Sequence, residues 1–237
     1  MMQKDAIEKI VELSPANLKE VGECIYSDKR LFLIDRPVPE TLVVFSLAAL
    51  EEYVLTQEPA SKYIIHVHGP GRVDVLSQLS VDYRQRESLL SAQRIYDSFS
   101  FGVWHSVEEF VINLQSMFVQ DESTAKILNL VGNITTEAKQ IVDDDGVTQR
   151  VTAKAGLARV EEREVPNPVV LRPYRTFPEV EQPESKFVLR VDAKGPSCAL
   201  FEADGGAWKI EAVSSIAGRL NESLSGPVES GNIIILA

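Results

Sequence analysis

The stretch Asn133–Val160, NITTEAKQIVDDDGVTQRVTAKAGLARV, decides the fold class of this chain. Asp144-Asp145-Gly146 has turn chemistry, because glycine adopts φ > 0 freely and aspartate tolerates it better than most residues. After the turn, Val147, Val151, Ala153, Ala155 and Leu157 share one parity, and Thr148, Arg150, Thr152 and Lys154 share the other. Alternation with period two is the mark of a half-buried strand. The stretch therefore reads as one long β-hairpin, over about 134–160, in an antiparallel sheet with one wet face.

On the N-terminal side, Ser106-Val107-Glu108-Glu109 is a capping box: Ser106 caps the helix and Glu109 reaches back. The helix that follows is expected to bury Phe110, Val111, Leu114 and Met117 or Phe118, and a second runs from about Glu122 to Leu130. Further upstream, Tyr63–Val67 and Arg72–Leu76 flank Gly69-Pro70-Gly71 as a second hairpin. Gln85–Gln93 adds another strand. Ser46 N-caps a short helix, Leu47–Leu55, after the strand Thr41–Phe45. The N-terminal segment 1–21 reads as helical, a first helix ending at Ser14-Pro15 and a second, short one running to Val21. Glu23–Tyr26 and Arg30–Ile34 follow as strand-like pieces.

Downstream comes a proline-rich crossing from Val165 to Pro183, and Val169–Arg172, Phe187–Val191 and Ala199–Glu202 read as strands. A final amphipathic helix, Trp208–Leu224, is expected to turn Ile210, Val213, Ile216 (or Ala217) and Leu220 inward. Ile233–Leu236 closes the chain as an apolar strand. Helices do not alternate regularly with strands, which argues for an α+β fold with a largely antiparallel sheet and packed amphipathic helices. The expected organisation is a single domain over 1–237, with the helical N-terminal segment and a projecting hairpin at 133–160.

Composition limits the function classes. The 237 residues carry a net charge of −11. Such a chain repels nucleic acid unless basic groups cluster. The densest basic groupings are only Tyr83-Arg84-Gln85-Arg86 and Arg172-Pro173-Tyr174-Arg175. Cys24 and Cys198 lie far apart, with no CxxC, and read as free thiols of a reducing cytosol. The N-terminus lacks a secretory h-region, and the longest apolar run, Leu42–Leu50, is far short of the ~20 residues that span a bilayer. These features imply a cytoplasmic protein.

Four stretches offer candidate chemistry. His66-Val67-His68 puts two imidazoles on one strand face with Asp74 on the paired strand, a weak metal candidate set against two polar residues on a wet face. Asp143-Asp144-Asp145-Gly146 lacks the spacing of a calcium loop and reads as a turn. Ala203-Asp204-Gly205-Gly206, between a strand and a helix, is either an anion cradle or a tight turn with Asp204 at the helix N-terminus. Arg172, Tyr174 and Arg175, with Arg190 on a following strand, form the candidate ligand site, able to hold a phosphate and stack a base. The alternative is an ordered crossing in which Arg172 and Arg175 pair with Glu179, Glu181 or Glu184. No nucleophile–base motif and no cofactor motif is present, so no catalytic residue and no cofactor is expected.

The segment order, with SVEEFVINLQ, Ile134-Thr135-Thr136-Glu137-Ala138-Lys139, VVLRPYRTFPEV and FVLRV, resembles the uncharacterised phage and prophage family typified by YfdQ. The resemblance spans roughly Thr41–Leu224. A Gly-His then Asp-His pattern associated with that family stands here only as Val81-Asp82-Tyr83-Arg84, so no role for those histidines carries over. The resemblance implies a phage-encoded accessory protein in the cytoplasm of a bacterial host, with no catalytic residues to transfer.

The expected function is non-enzymatic: a homo-oligomer binding a host protein or a small phosphorylated, nucleotide-like ligand, with counter-defence as one role. A long two-stranded ribbon is marginally stable alone. The row Val147, Val151, Ala153, Ala155 and Leu157 is therefore the expected oligomer interface. A self-assembling shell or virion protein is the structural alternative. A single-stranded nucleic-acid factor in phage recombination or replication is another, opposed by the charge. No membrane partner is expected.

Overall fold

The structure, a computed structural model, describes residues 4–21, 24–30, 39–57, 62–80, 85–95, 97–135, 140–144, 149–155, 159–165, 167–192 and 197–237. The chain divides into two compact units, Met1–Pro39 and Glu40–Ala237.

The first unit opens with α1 (Lys4–Leu13), followed by β1 (Leu18–Val21) paired antiparallel with β2 (Cys24–Ser27). The segment 1–21 is thus only partly helical, and the second expected helix is a strand. Leu18–Val21 finds an immediate partner in the β-prone Cys-Ile-Tyr-Ser, and strand pairing overrides the weak helical preference of Leu-Lys-Glu. Lys29 Nζ donates to the carbonyls of Val11, Glu12 and Ser14, where a cation meets the free C=O groups of a helix end. Ile7, Ile10, Val11 and Leu13 are exposed. The expected strand from Arg30 to Ile34 lies outside the described residues beyond Arg30, as does the Cys24 side chain.

The second unit is α+β and mostly antiparallel. Its five-stranded sheet has β4 (Tyr63–Gly69), β5 (Arg72–Ser77) and β6 (Ser88–Gln93) as an antiparallel centre. Parallel edges are added by β3 (Leu42–Val44) beside β6 and by β14 (Ile233–Leu236) beside β4. Alternation sends Ile65, Val67, Val73, Val75, Leu90 and Ala92 into a core shared with α2 (Leu47–Leu55) and α5 (Ala207–Ser223). Ser46 Oγ caps α2 by accepting from Ala49 N at 3.2 Å.

A second core lies under a four-stranded antiparallel sheet. Its order is β11 (Val169–Leu171), β12 (Ser185–Val191), β13 (Ser197–Glu202), β7 (His105–Ser106). Against it pack α3 (Val107–Met117), with Phe110 and Leu114, and α4 (Glu122–Thr135), with Ile127 and Val131; Phe118 follows α3 into the same core. Ser106 Oγ accepts from Glu109 N as a capping residue should, and the Glu109 carboxylate reaches back to the buried His105 ring, at 3.2 Å from Nδ1. Cys198 is fully buried here, and burial pushes its thiol up to about 12, which leaves an inert thiol.

The decisive stretch forms a three-stranded antiparallel sheet, β8 (Gln140–Asp144), β9 (Gln149–Ala155) and β10 (Arg159–Val165), in the order β10-β9-β8. The expected two-stranded ribbon is therefore corrected in three respects. Asn133–Thr135 belong to α4, the first strand begins at Gln140, and the chain reverses again after Ala155. A third strand gives the ribbon the width that a two-stranded hairpin lacks. Its register sets Val151 between Val142 and Arg163, and Ala153 between Gln140 and Glu161. The rows of the expected interface are thus chemically mixed. The tip Asp145-Gly146, Val147 and Leu157 lie outside the described residues, as do the side chains of Val151, Ala153 and Ala155.

The stripe of α5 matches expectation at Ile216, Leu220 and the partly buried Val213 and departs from it at Ile210. Ala212, Ile216 and Leu220 are buried and Leu224 continues the line, while Ile210 is 77% exposed. The buried line steps by four, which brings Trp208 rather than Ile210 onto it. The short α6 (Ser225–Glu229) then leads into β14.

Candidate ligand-binding site

The crossing from Arg172 to Gln182 runs between the two cores of the second unit and organises the site. Phe118 bridges Pro173, Val119 N donates to Arg172 O at 2.8 Å, and Tyr174 N donates to Met117 O at 2.9 Å. Thr176 Oγ1 donates to Pro70 O at 2.7 Å, and Phe177 is fully buried in the core of the five-stranded sheet. The buried Gln182 holds the bend. Its Oε1 accepts from Arg175 N and Thr176 N, and its Nε2 donates to Phe177 O.

The four residues expected to hold a phosphate go to different places. Arg172 lies 3.2 Å from both Asp121 Oδ2 and Glu181 Oε1. Asp121 in turn accepts from Thr124 N at the start of α4. Burial pushes the Asp121 carboxyl up, but Thr124 and Arg172 outweigh it and leave it below the usual carboxylate range. Arg172 is thus part of a helix cap, and its pairing with Glu181 matches the ordered-crossing alternative. Tyr174 lines a separate cavity of about 390 Å³ with Asp97, Ser116 and Met117. Arg190 is half-buried on β12, opposite Ala199. Glu179 serves neither arginine: its Oε1 accepts from Leu47 N at 2.8 Å, a carboxylate on the N-terminus of α2.

Arg175 is 4% exposed. Its guanidinium lies over the Trp208 ring, 3.9 Å from the centroid, with Phe101 and Phe187 within 5.5 Å. Nη1 donates to Glu202 Oε1 at 2.6 Å and Nη2 donates to Ser185 Oγ. Burial lowers the guanidinium's pKa, opposed by Glu202 and Asp204. An aromatic slot, a hydroxyl and carboxylates therefore hold the cation that sequence reasoning had offered to a phosphate.

In front of this arrangement lies a cavity of about 450 Å³, whose walls include Glu184, Ser185, Lys186, Asp204 and the apolar Val170 and Ala207. Asp204 enters through the turn before α5, where Gly205 and Gly206 adopt φ of +64° and +82°. That left-handed backbone is costly for any residue with a Cβ. Asp204 Oδ1 accepts from Gly206 N at 2.9 Å, so the turn reading of this segment holds and the chain's own carboxylate occupies the free amide. Burial raises the Asp204 carboxyl, but Gly206 N–H, the Ser185 hydroxyl and the Arg175 charge prevail and hold it below the usual range. Asp204 Oδ2, Arg175 Nε and Trp208 Nε1 are buried without a hydrogen-bond partner among the described residues. Sequence reasoning singled out Asp204 and Arg175 separately, but not Ser185, Glu202 or the slot side of Trp208. The available signal was Trp208 one helical turn ahead of the buried Ala212.

His66 and His68 lie on the face of the five-stranded sheet away from α2 and α5, rings 3.9 Å apart. Asp74, 3% exposed, does join them: its Oδ2 is 2.9 Å from His68 Nε2. It also accepts from Arg72 Nε and Nη2 and from Ser91 Oγ. A guanidinium on the carboxylate opposes a metal ion there, and among the described residues no group of three or more His, Cys, Asp or Glu is placed to hold one.

Burial raises the Asp74 carboxyl, but Arg72, Ser91 and His68 bring it below its ordinary value of 3.8. A carboxyl with a depressed folded pKa stabilises fully above its unfolded pKa, and that contribution is lost as pH falls through the folded value. The stability gap between the wild type and Asp74→Asn is expected to shrink as pH falls below about 4. Urea unfolding at stepped pH measures it, and an unchanged gap at pH 3 contradicts the assignment.

Comparison with known proteins gives no match to a family model, to a curated protein or to a solved structure. No helix among the described residues is long and apolar enough to cross a membrane.

Proposed function

We propose that this chain is a non-enzymatic binding protein that works as a homo-oligomer and takes a small polar ligand in the cavity beside Asp204. The observation that carries the reading is that cavity, walled by Ser185 and Asp204 and backed by the buried Arg175. Ser185 Oγ accepts from Arg175 Nη2 and Asp204 Oδ1 accepts from Gly206 N, which fixes two polar groups of the wall in advance of a ligand. Phosphate recognition through Arg172 and Arg175 is disfavoured, since both guanidiniums already engage carboxylates. The resemblance to the phage and prophage family is the support for a phage-encoded protein in the bacterial cytoplasm.

Self-association has separate support. Among the described residues, the edge strand β3 exposes Leu42 and Val43, with Phe45 following, and the other edge, β14, exposes Ile234 and Leu236. Apolar open edges favour pairing with another chain. Native mass spectrometry on protein purified from a bacterial cytosol tests both parts. An oligomer that Phe45→Asp dissociates, together with added mass per subunit, is the expected result. A bare 26.3 kDa monomer overturns both.

A further inference from the structure

We infer that the cavity beside Asp204 takes a small organic cation bearing a primary ammonium or guanidinium group, an inference that rests on the binding function proposed above. Four observations converge on this class. Asp204 lines the cavity and is held ionised by Gly206 N–H, Ser185 and Arg175. Glu184 adds a second carboxylate to the wall, against one ammonium, that of Lys186. The nearest buried cation, Arg175, is neutralised by Glu202 and sits over Trp208, which removes the group that an anionic ligand would use. The chain as a whole carries a net charge of −11, and such a field draws cations in and keeps phosphorylated molecules out.

The ammonium head pairs with Asp204 and Glu184, and the apolar body of the ligand lies on Val170 and Ala207. A carboxylate partly withdrawn from water discriminates a cation from an isosteric neutral molecule far better than an exposed one, because its charge is screened less. The Lys186 ammonium at the rim admits an acceptor group on the distal part of the ligand.

The test is isothermal titration of the full chain with agmatine and with spermidine at 150 mM NaCl, with AMP and inorganic phosphate as comparators. Binding of at least one cation is expected, with a tenfold or greater loss in both Asp204→Asn and Glu184→Gln. Circular dichroism melts confirm that each variant is folded. Because Glu184 is exposed, its variant keeps the test valid if Asp204→Asn fails to fold. Cation binding unaffected by either substitution marks adsorption to the acidic surface and overturns the inference. Tighter binding of AMP or phosphate than of either cation overturns the ligand class but leaves a binding protein. No binding of any probe, with no added mass on protein from the cytosol, removes the class and the binding function together.

Discussion

Arg175→Ala is expected to destabilise the unit Glu40–Ala237 by about 3 kcal/mol, the scale for breaking a buried ion pair by removing one partner. The substitution removes the hydrogen bonds to Glu202 and Ser185 and empties the slot over Trp208. A desolvated cation–π contact is worth about 2 kcal/mol. Glu202 is itself 42% exposed and regains water, which keeps the cost at the lower end of the range. Arg175→Met keeps most of the volume against Phe101, Phe187 and Trp208 and is expected to recover part of the loss, since packed apolar groups often replace buried ions at little cost. Denaturant unfolding monitored by far-UV circular dichroism measures both. A cost below 1 kcal/mol for the alanine variant means that the slot is not a structural element.

Gln182→Ala has a comparable expected effect by a different route. Gln182 is 6% exposed and serves two backbone N–H groups with one oxygen. Its amide also donates to Phe177 O at 3.1 Å. Truncation leaves the amides of Arg175 and Thr176 buried without a partner, at about 1–3 kcal/mol for each unsatisfied group. A total of roughly 3 kcal/mol follows, with some relief if water enters the space. Gln182→Glu keeps the two acceptor bonds but turns a donor into an acceptor against Phe177 O, so it is expected to be no better than alanine near neutral pH. Recovery of near wild-type stability by the glutamate variant would show that only the acceptor side matters. Hydrogen exchange at the two amides gives an independent readout: both are expected to lose protection in Gln182→Ala.

The two substitutions share a cause. The crossing Arg172–Gln182 has no strand or helix of its own, yet Pro173, Arg175, Thr176, Phe177 and Gln182 are buried, and buried backbone must find partners for its N–H and C=O groups. Gln182 Oε1 accepts from the amides of Arg175 and Thr176, Val119 N donates to Arg172 O, and Arg219 Nη1 donates to Glu179 O while its Nε and Nη2 bind Glu51.

Residue spacing by itself determined the secondary structure wherever the interaction is local. The caps of α2 and α3 were readable because Ser46 and Ser106 bond amides three residues on. The hairpin β4–β5 followed from two β-rich runs flanking Gly69-Pro70-Gly71, and the α+β class followed from element order. Only the tertiary structure decided matters that depend on which distant elements meet. Whether Leu18–Val21 pairs as a strand, whether Trp208 or Ile210 joins the buried line of α5, and whether a third strand widens the hairpin are set by partners that local pattern does not encode. The site shows this most clearly. Arg172 and Arg175 are three residues apart and look alike in sequence, but one caps α4 through Asp121 and the other lies over Trp208 against Glu202. A charge takes its meaning from the nearest opposite charge in space, because Coulomb attraction falls with distance and not with sequence separation.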